Sequence, residues 1–221
     1  MKSLPGKILI STVIFVTAGF AQVKPKILVI GDSISIGYFP FVKEALENKA
    51  EVFHNPGNAE HTGTGLENIE EWIGEGDWDI IQFNWGLWDL CYRHPDSKLY
   101  GNRDKVNGTL TYTVEEYSAN LEAIVKILKA QTDAKLIFVT TTYVPENEGG
   151  RYEADPIRYN EAASKIMEKY SIEVNDIYEK SATIHQRLGL GDDDVHYTEK
   201  GYKKLSKSIN KFLLKEIKEI N

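Results

Sequence analysis

The sequence predicts an α/β protein, a three-layer α/β/α sandwich around a five-stranded, mostly parallel sheet. ILVIG at 27–31 is a continuous apolar run of the kind found in strands buried on both faces. Further short apolar runs alternate with amphipathic helical segments along the rest of the chain. Strand–helix–strand units of this kind take right-handed crossovers, which place helices on both faces of one sheet.

Each element follows from its own spacing of apolar residues. The strands are short runs rich in Val, Ile and Phe, expected at 27–31, 51–54, 78–83, 135–141 and 172–174. The helices repeat apolar residues every three or four positions, and they are expected at 38–48, 66–73, 114–130, 156–170 and 198–220. Two long connections, 90–113 and 143–155, then leave from the carboxyl ends of strands, where ligands of such sheets bind.

Residues 1–21 have the pattern of a secretory signal peptide. Lys2 and Lys7 precede an apolar run from 8 to 20, and small residues stand before Gln22. The run is short for a membrane span of about 20 residues. We therefore expect cleavage, export to the periplasm or the cell exterior, and no stable membrane insertion afterwards; an uncleaved anchor is the alternative. Residues 22–221 then form a single domain.

Composition excludes several classes of function. The chain has 33 acidic and 26 basic residues and a formal charge of −7, a balance that repels nucleic acid and favours neutral or weakly charged substrates. The spacing of the histidines at 54, 61, 94 and 185 fits no metal site. The glycine patterns of dinucleotide and phosphate-binding loops are missing, so we expect neither cofactor nor metal. The pattern does not determine the oligomeric state.

Two polar segments at opposite ends of the domain favour serine chemistry. Ser33 directly follows the first strand, where its hydroxyl can face the edge of the sheet, although a serine here is also a common helix cap. GDDDVHY at 191–197 precedes the last helix. An aspartate shortly before His196 can orient the imidazole, which leaves the other ring nitrogen free as a base. The alternatives are a solvated turn and a surface histidine.

ILVIGDSISIG at 27–37, DIIQFNWGLWD at 79–89 and DDVHYTEKGY at 193–202 resemble the GDSL or SGNH hydrolase family over nearly the whole domain. The resemblance implies a flavodoxin-like three-layer fold and ester hydrolysis through an acyl-enzyme. It also implies Ser33 as nucleophile, His196 as base, and Asp193, which has the spacing of the family motif, as the acid that orients His196.

The resemblance implies an oxyanion hole from which this sequence departs at two places. The family uses the serine N–H, a backbone N–H after the second strand and an asparagine after the third, but Trp88 stands where that asparagine belongs. An indole N–H is still a donor, and a wall of the pocket is the alternative role for Trp88. The segment after the second strand has no glycine at a clear position. The candidates for oxyanion and substrate contacts are Asn58, Ala59, Asn84, Gly86 and Trp88.

The leading hypothesis is an exported serine esterase that removes a small acyl group, acetyl, from a carbohydrate. Aromatic residues near the strand ends would stack on the sugar or pack as core: Trp85, Trp88, Tyr92 and Tyr143. One alternative is a non-catalytic carbohydrate-binding protein on the same fold. Another is a lipid or lysophospholipid esterase, which the acidic charge disfavours at anionic bilayers.

Overall fold

The computed structural model describes residues 23–220, so the signal peptide expected at 1–21 lies outside the described residues. The strands within this range are β1 (Lys26–Ile30), β2 (Glu51–His54), β3 (Ile80–Phe83), β4 (Tyr92–Arg93), β5 (Thr109–Leu110), β6 (Lys135–Val139), β7 (Glu173–Asn175), β8 (Gly189–Gly191) and β9 (Asp194–Tyr197). The helices are α1 (Ser33–Leu46), α2 (Thr62–Ile73), α3 (Val114–Gln131), α4 (Asp155–Tyr170), α5 (Tyr178–Leu188) and α6 (Glu199–Ile220).

Five of these strands form one central sheet in the order β2-β1-β3-β6-β7, and all of its pairs are parallel. Residues 27–30 of β1 are at most 2% exposed, because strands flank β1 on both sides and helices cover both of its faces. The predicted α/β/α sandwich is therefore confirmed, with a sheet that is fully parallel.

The helices divide between the two faces of the sheet. Helices α2, α3 and α4 pack against one another on one face, and α1, α5 and α6 pack together on the other. This division follows from the strand order, because β1 leads outward to β2 through α1 and the chain then returns across the sheet in the opposite direction. Among residues 23–220, no helix combines the length and the apolarity that crossing a bilayer requires.

Three parts of the fold differ from the expectation. Helix α1 begins at Ser33 rather than at 38, because Asp32 caps it, and it continues through Pro40. Helix α5 was not expected; Ile184 is its main buried apolar residue, too few for a helical pattern to emerge. The antiparallel pairs β4–β5 and β8–β9 were also not expected, because strands of two to four residues leave little periodicity to detect.

Candidate active site

The first turn of α1 places Ser33 at the carboxyl end of β1. Asp32 caps the helix by accepting a hydrogen bond from the Ile34 N–H over 2.9 Å, so Ser33 is the first helical residue. Asp32 is fully buried, and this burial raises the pKa of its carboxyl. Ser33 is only half-buried. The capped turn therefore leaves Ser33 accessible at the edge of the sheet, next to the fully buried carboxyl group of Asp32.

His196 reaches Ser33 from the opposite end of the chain. It lies on β9, and its Nε2 is 2.9 Å from the Ser33 Oγ. Its Nδ1 is 2.6 Å from Oδ1 of Asp194. A carboxylate only accepts hydrogen bonds, so Nδ1 carries the proton and Nε2 of the neutral ring accepts the proton of the serine hydroxyl. The three groups therefore form a continuous serine–histidine–aspartate chain.

Asp194, not Asp193, contacts the imidazole, and this corrects the sequence prediction. Asp192 and Asp193 form the exposed turn between β8 and β9, whereas Asp194 begins β9. Residues two apart on a strand project from the same face, so Asp194 lies beside His196 while Asp193 precedes the strand. The prediction followed the spacing of the family motif, whereas the alternation along DVHY places Asp194 and His196 on one face of β9.

The surroundings of Asp194 keep it ionised. Burial by itself would raise the pKa of this carboxyl, but it accepts hydrogen bonds from the His196 backbone N–H over 2.8 Å and from the His196 ring. Together with the positive charge of Arg103, these bonds hold the pKa of Asp194 below its usual value. An ionised Asp194 fixes the tautomer of His196 and can stabilise an imidazolium.

The Ser33 backbone N–H has no hydrogen-bond partner among residues 23–220, so it is free to bind a developing oxyanion. Of the two candidates after β2, the structure removes the Ala59 N–H. The Ala59 N–H donates to the Gly31 carbonyl over 3.1 Å, and the Asn58 side chain accepts from the Glu60 N–H over 2.9 Å. The structure therefore corrects the prediction that Ala59 is the backbone donor, because that N–H already binds the chain beside Ser33.

The segment after β3 contains three further candidates. Asn84 donates from Nδ2 to the Val139 carbonyl over 2.7 Å, so its amide joins β3 to β6 and is not held toward Ser33. Gly86 has φ +147, and a Cβ there would lie 2.0 Å from the Thr141 Oγ1, so only glycine fits this turn. Gly86 is therefore required by the turn that follows β3.

Trp88 is half-buried, and its indole N–H has no hydrogen-bond partner among residues 23–220. The Arg93 guanidinium lies 4.5 Å from its ring centroid. Trp85 differs: it is fully buried and donates from Nε1 to the Ala59 carbonyl over 3.1 Å. Trp85 is therefore a core residue that cannot stack on a sugar, while Trp88 remains a candidate donor and pocket wall.

The two long connections, 90–113 and 143–155, also bring together charged residues that are far apart in the sequence. The buried Arg151 donates from Nε to the Leu87 carbonyl over 2.6 Å and contacts Glu148, which also pairs with Arg103. These contacts join the two long connections beside the segment that carries Trp88. In residues 23–220, no group of three or more metal-ligating side chains lies close enough to hold a metal ion.

Comparisons with known proteins agree with this arrangement. The model of the GDSL-like Lipase/Acylhydrolase family matches residues 29–204, well over half of the chain. No curated protein matches the sequence.

Solved structures share the fold at low sequence identity. An acetyl xylan esterase, AlAXEase, is 16% identical with a TM-score of 0.67, over 85% of this chain and 99% of that one. Axe2, an acetylxylan esterase from Geobacillus stearothermophilus, is 20% identical with a TM-score of 0.67, over 87% and 94%. A lipase/acylhydrolase from Enterococcus faecalis is 18% identical with a TM-score of 0.68, over 86% and 95%. From the family match and the serine–histidine–aspartate chain, we conclude that this protein belongs to the GDSL-like lipase/acylhydrolase family and is a serine hydrolase acting on carboxylic esters.

Proposed function

We propose that this protein is an exported esterase that removes acetyl groups from a carbohydrate, with Ser33 as nucleophile, His196 as general base and Asp194 as the residue that orients His196. The observation that carries the proposal is the 2.9 Å contact between Ser33 Oγ and His196 Nε2, with Asp194 on the other ring nitrogen. Groups this far apart in sequence meet only through the fold, and each has the hydrogen-bonding role that the reaction needs.

The first half of the reaction forms an acyl-enzyme. His196 Nε2 takes the Ser33 proton as Oγ attacks the ester carbonyl, and Asp194 stabilises the imidazolium that results. The carbonyl oxygen becomes an oxyanion, which the free Ser33 N–H can bind. When the tetrahedral intermediate collapses, the bond to the sugar oxygen breaks, and the Nε2 proton passes to that oxygen.

The second half releases the acid. His196, now neutral, takes a proton from a water molecule that attacks the acyl carbon. The bond to Ser33 Oγ then breaks, acetate leaves, and the serine recovers its proton from Nε2. The chain thus ends the cycle in the state described above, with the hydroxyl bound to Nε2.

The carbohydrate and the acetyl group are supported by two independent features. Two of the similar solved structures are by name esterases of acetylated xylan, which makes the same chemistry the first choice for this fold. Half-buried or exposed aromatic side chains also occur in the segment after β3 and on the two long connections, and such rings can stack on sugar faces: Trp88, Tyr92, Tyr100, Tyr143 and Tyr152. Export rests on the signal-peptide pattern at 1–21.

Labelling with a fluorophosphonate probe tests the nucleophile. We expect one adduct per chain in the unmodified protein and none in Ser33→Ala. The matched control is Ser164→Ala, since Ser164 is an exposed serine on α4 outside the site and its loss should leave labelling intact. A protein that never forms the adduct would instead be the non-catalytic binding protein.

Acetate release from acetylated xylooligosaccharides, compared with hydrolysis of acetyl and octanoyl nitrophenyl esters, tests the substrate. We expect acetyl esters to be cleaved faster, and acetate to be released from the oligosaccharide only while Ser33 is present. A preference for the octanoyl ester would favour the lipid esterase instead. Detection of the protein outside the cytoplasm, without its leader, would test export.

A further inference from the structure

Three arginines converge on one wall of the active site. Arg103 and Arg151 both contact the carboxylate of Glu148, which is fully buried. Arg93 stacks on Trp88 and, among residues 23–220, makes no ion pair with an acidic side chain. Two of the three guanidinium groups therefore contact one carboxylate, and Arg93 contacts none among the described residues.

The positive charges lie near the reacting groups. The Arg151 charge opposes the rise in the pKa of Asp32 that burial causes, and Asp32 directly precedes Ser33. The Arg103 charge contributes to the lowered pKa of Asp194, which burial alone would raise. Arg93 lies at the same edge of the sheet, because Trp88, on which it stacks, follows Phe83 of β3, and Phe83 pairs with Ile30 of β1 shortly before Ser33.

Arg93 is held in a fixed position with part of its guanidinium unused. Its Nη1 donates to the Gly101 carbonyl, and Gly101 has φ +70, where a Cβ would lie 2.8 Å from Nη1. The Nε and Nη2 groups have no partner among the described residues, and neither is sealed from solvent. Partial burial lowers the pKa of Arg93, and the charges of Arg151 and Arg103 lower it further, against the opposing effects of Cys91 and Glu60.

A half-buried cation without a carboxylate is a costly arrangement unless something pairs with it. The open Nε and Nη2 edge of Arg93 has the spacing that binds both oxygens of a carboxylate. An open groove of about 600 Å³ lies beside it, lined in part by Arg93, His94, Gly101 and Asn102. That volume is in the usual range of small-molecule sites and accommodates a sugar ring.

We propose that Arg93 binds a carboxylate on the substrate, so that the preferred ester is an acetylated sugar acid rather than a neutral sugar. This inference rests on the esterase function proposed above and names its substrate class. It replaces the expectation from net charge that neutral substrates fit better. At physiological ionic strength, charges more than about 8 Å away are screened, so the arginines in the site outweigh the acidic surface elsewhere.

Matched substrates that differ only in the carboxylate test this inference. The 3-O-acetyl esters of methyl glucuronoside and methyl glucoside form one pair, and those of methyl galacturonoside and methyl galactoside form a second. We expect kcat/KM to be about tenfold or more higher for the acidic member of at least one pair, and this ratio to fall toward one in Arg93→Gln. The ratio within one variant cancels any general change in activity.

The controls separate charge at this position from charge in general. Arg187→Gln removes the same charge from an exposed position on α5 and should keep the ratio, while Arg93→Lys should recover only part of it, since lysine lacks the planar fork. High salt should reduce the ratio in the unmodified protein. No preference for the acidic member in either pair, or a preference that survives in Arg93→Gln, would overturn the inference.

A binding measurement keeps this inference separate from the proposed function. Calorimetry with the Ser33→Ala variant should detect tighter binding of the methyl uronosides than of the matching neutral glycosides, and the additional Arg93→Gln change should remove the difference. If no acetyl ester is cleaved but this difference is present, the esterase proposal fails and the carboxylate site stands. If esters are cleaved and the difference is absent, the carboxylate site fails alone.

Discussion

Ser33 with His196 and Ser35 with His54 form two serine–histidine pairs on the first turn of α1. The Oγ to Nε2 distance is 2.9 Å in the first pair and 2.7 Å in the second. The partners of the second ring nitrogen differ: Nδ1 of His196 binds the Asp194 carboxylate, while Nδ1 of His54 binds the neutral Asn55 carbonyl over 2.9 Å. Both pairs therefore have a short contact between serine and histidine, but only His196 has a carboxylate on its second ring nitrogen.

The two serines also differ in what surrounds the hydroxyl. Ser35 is 1% exposed, and its Oγ also lies 2.7 Å from the Asp32 carbonyl, so its single proton has two acceptors. Ser33 is half-buried and has a free backbone N–H. A substrate carbonyl can approach Ser33 but not Ser35. The comparison indicates that a nucleophilic serine differs from a structural serine in two ways: its hydroxyl is accessible to substrate, and its histidine partner contacts a carboxylate.

The histidines give the largest expected contrast. His196→Ala should lower kcat by about 10⁴-fold or more, because the base and its link to Asp194 are both lost. His54→Ala should change kcat by less than about tenfold, since His54 only joins β2 to α1. Steady-state rates on nitrophenyl acetate measure both. Comparable losses in the two variants would show that the second pair takes part in the reaction.

Substitutions of the two aspartates before His196 test whether a negative charge beside Nδ1 of the ring is needed. Asp194→Asn should lower kcat by about 10³ to 10⁴-fold, because an amide can donate to Nδ1 and favour the unproductive tautomer. Asp193→Asn is the matched control, and its rate should stay near that of the unmodified protein, since Asp193 lies in the exposed turn. The opposite order of the two variants would restore Asp193 as the orienting acid.

A substitution at Trp88 tests whether its indole N–H binds the oxyanion in addition to the Ser33 N–H. Trp88→Phe keeps an aromatic ring for Arg93 to stack on but removes the indole N–H. If that N–H binds the oxyanion, kcat should fall about tenfold or more while KM changes little. An unchanged kcat would assign Trp88 to the pocket wall, with the Ser33 N–H as the remaining donor identified in the site.

The pH dependence of stability is the smallest expected effect. Burial lowers the pKa of His54 below 6.5, so below that pH the unfolded chain binds more protons than the folded protein. The free energy of unfolding should therefore be fully retained above pH 6.5 and fall as the pH drops from 6.5 toward the lowered folded value. Denaturant unfolding on both sides of pH 6.5 should show a shallower fall in His54→Gln. Equal slopes would mean that His54 is not held neutral.

Much of the fold could be predicted because the central strands are short apolar runs with helical segments between them. The prediction missed elements that have little apolar periodicity. Helix α5 buries few apolar residues, and the strands of β4–β5 and β8–β9 are two to four residues long. The choice of Asp193 followed the spacing of the family motif, whereas the contact with His196 depends on which residues share a face of the short strand β9.

The sequence by itself determined the α/β alternation and the two segments that supply Ser33 and His196, because local residue patterns dictate strands, helices and caps. Only the tertiary structure decided which aspartate contacts His196, which of two serine–histidine pairs is open, and that two arginines contact one buried carboxylate while Arg93 contacts none among the described residues. These properties depend on distances between residues far apart in the chain. Such distances are fixed by the packing of the sheet and its connections, and no local pattern encodes them.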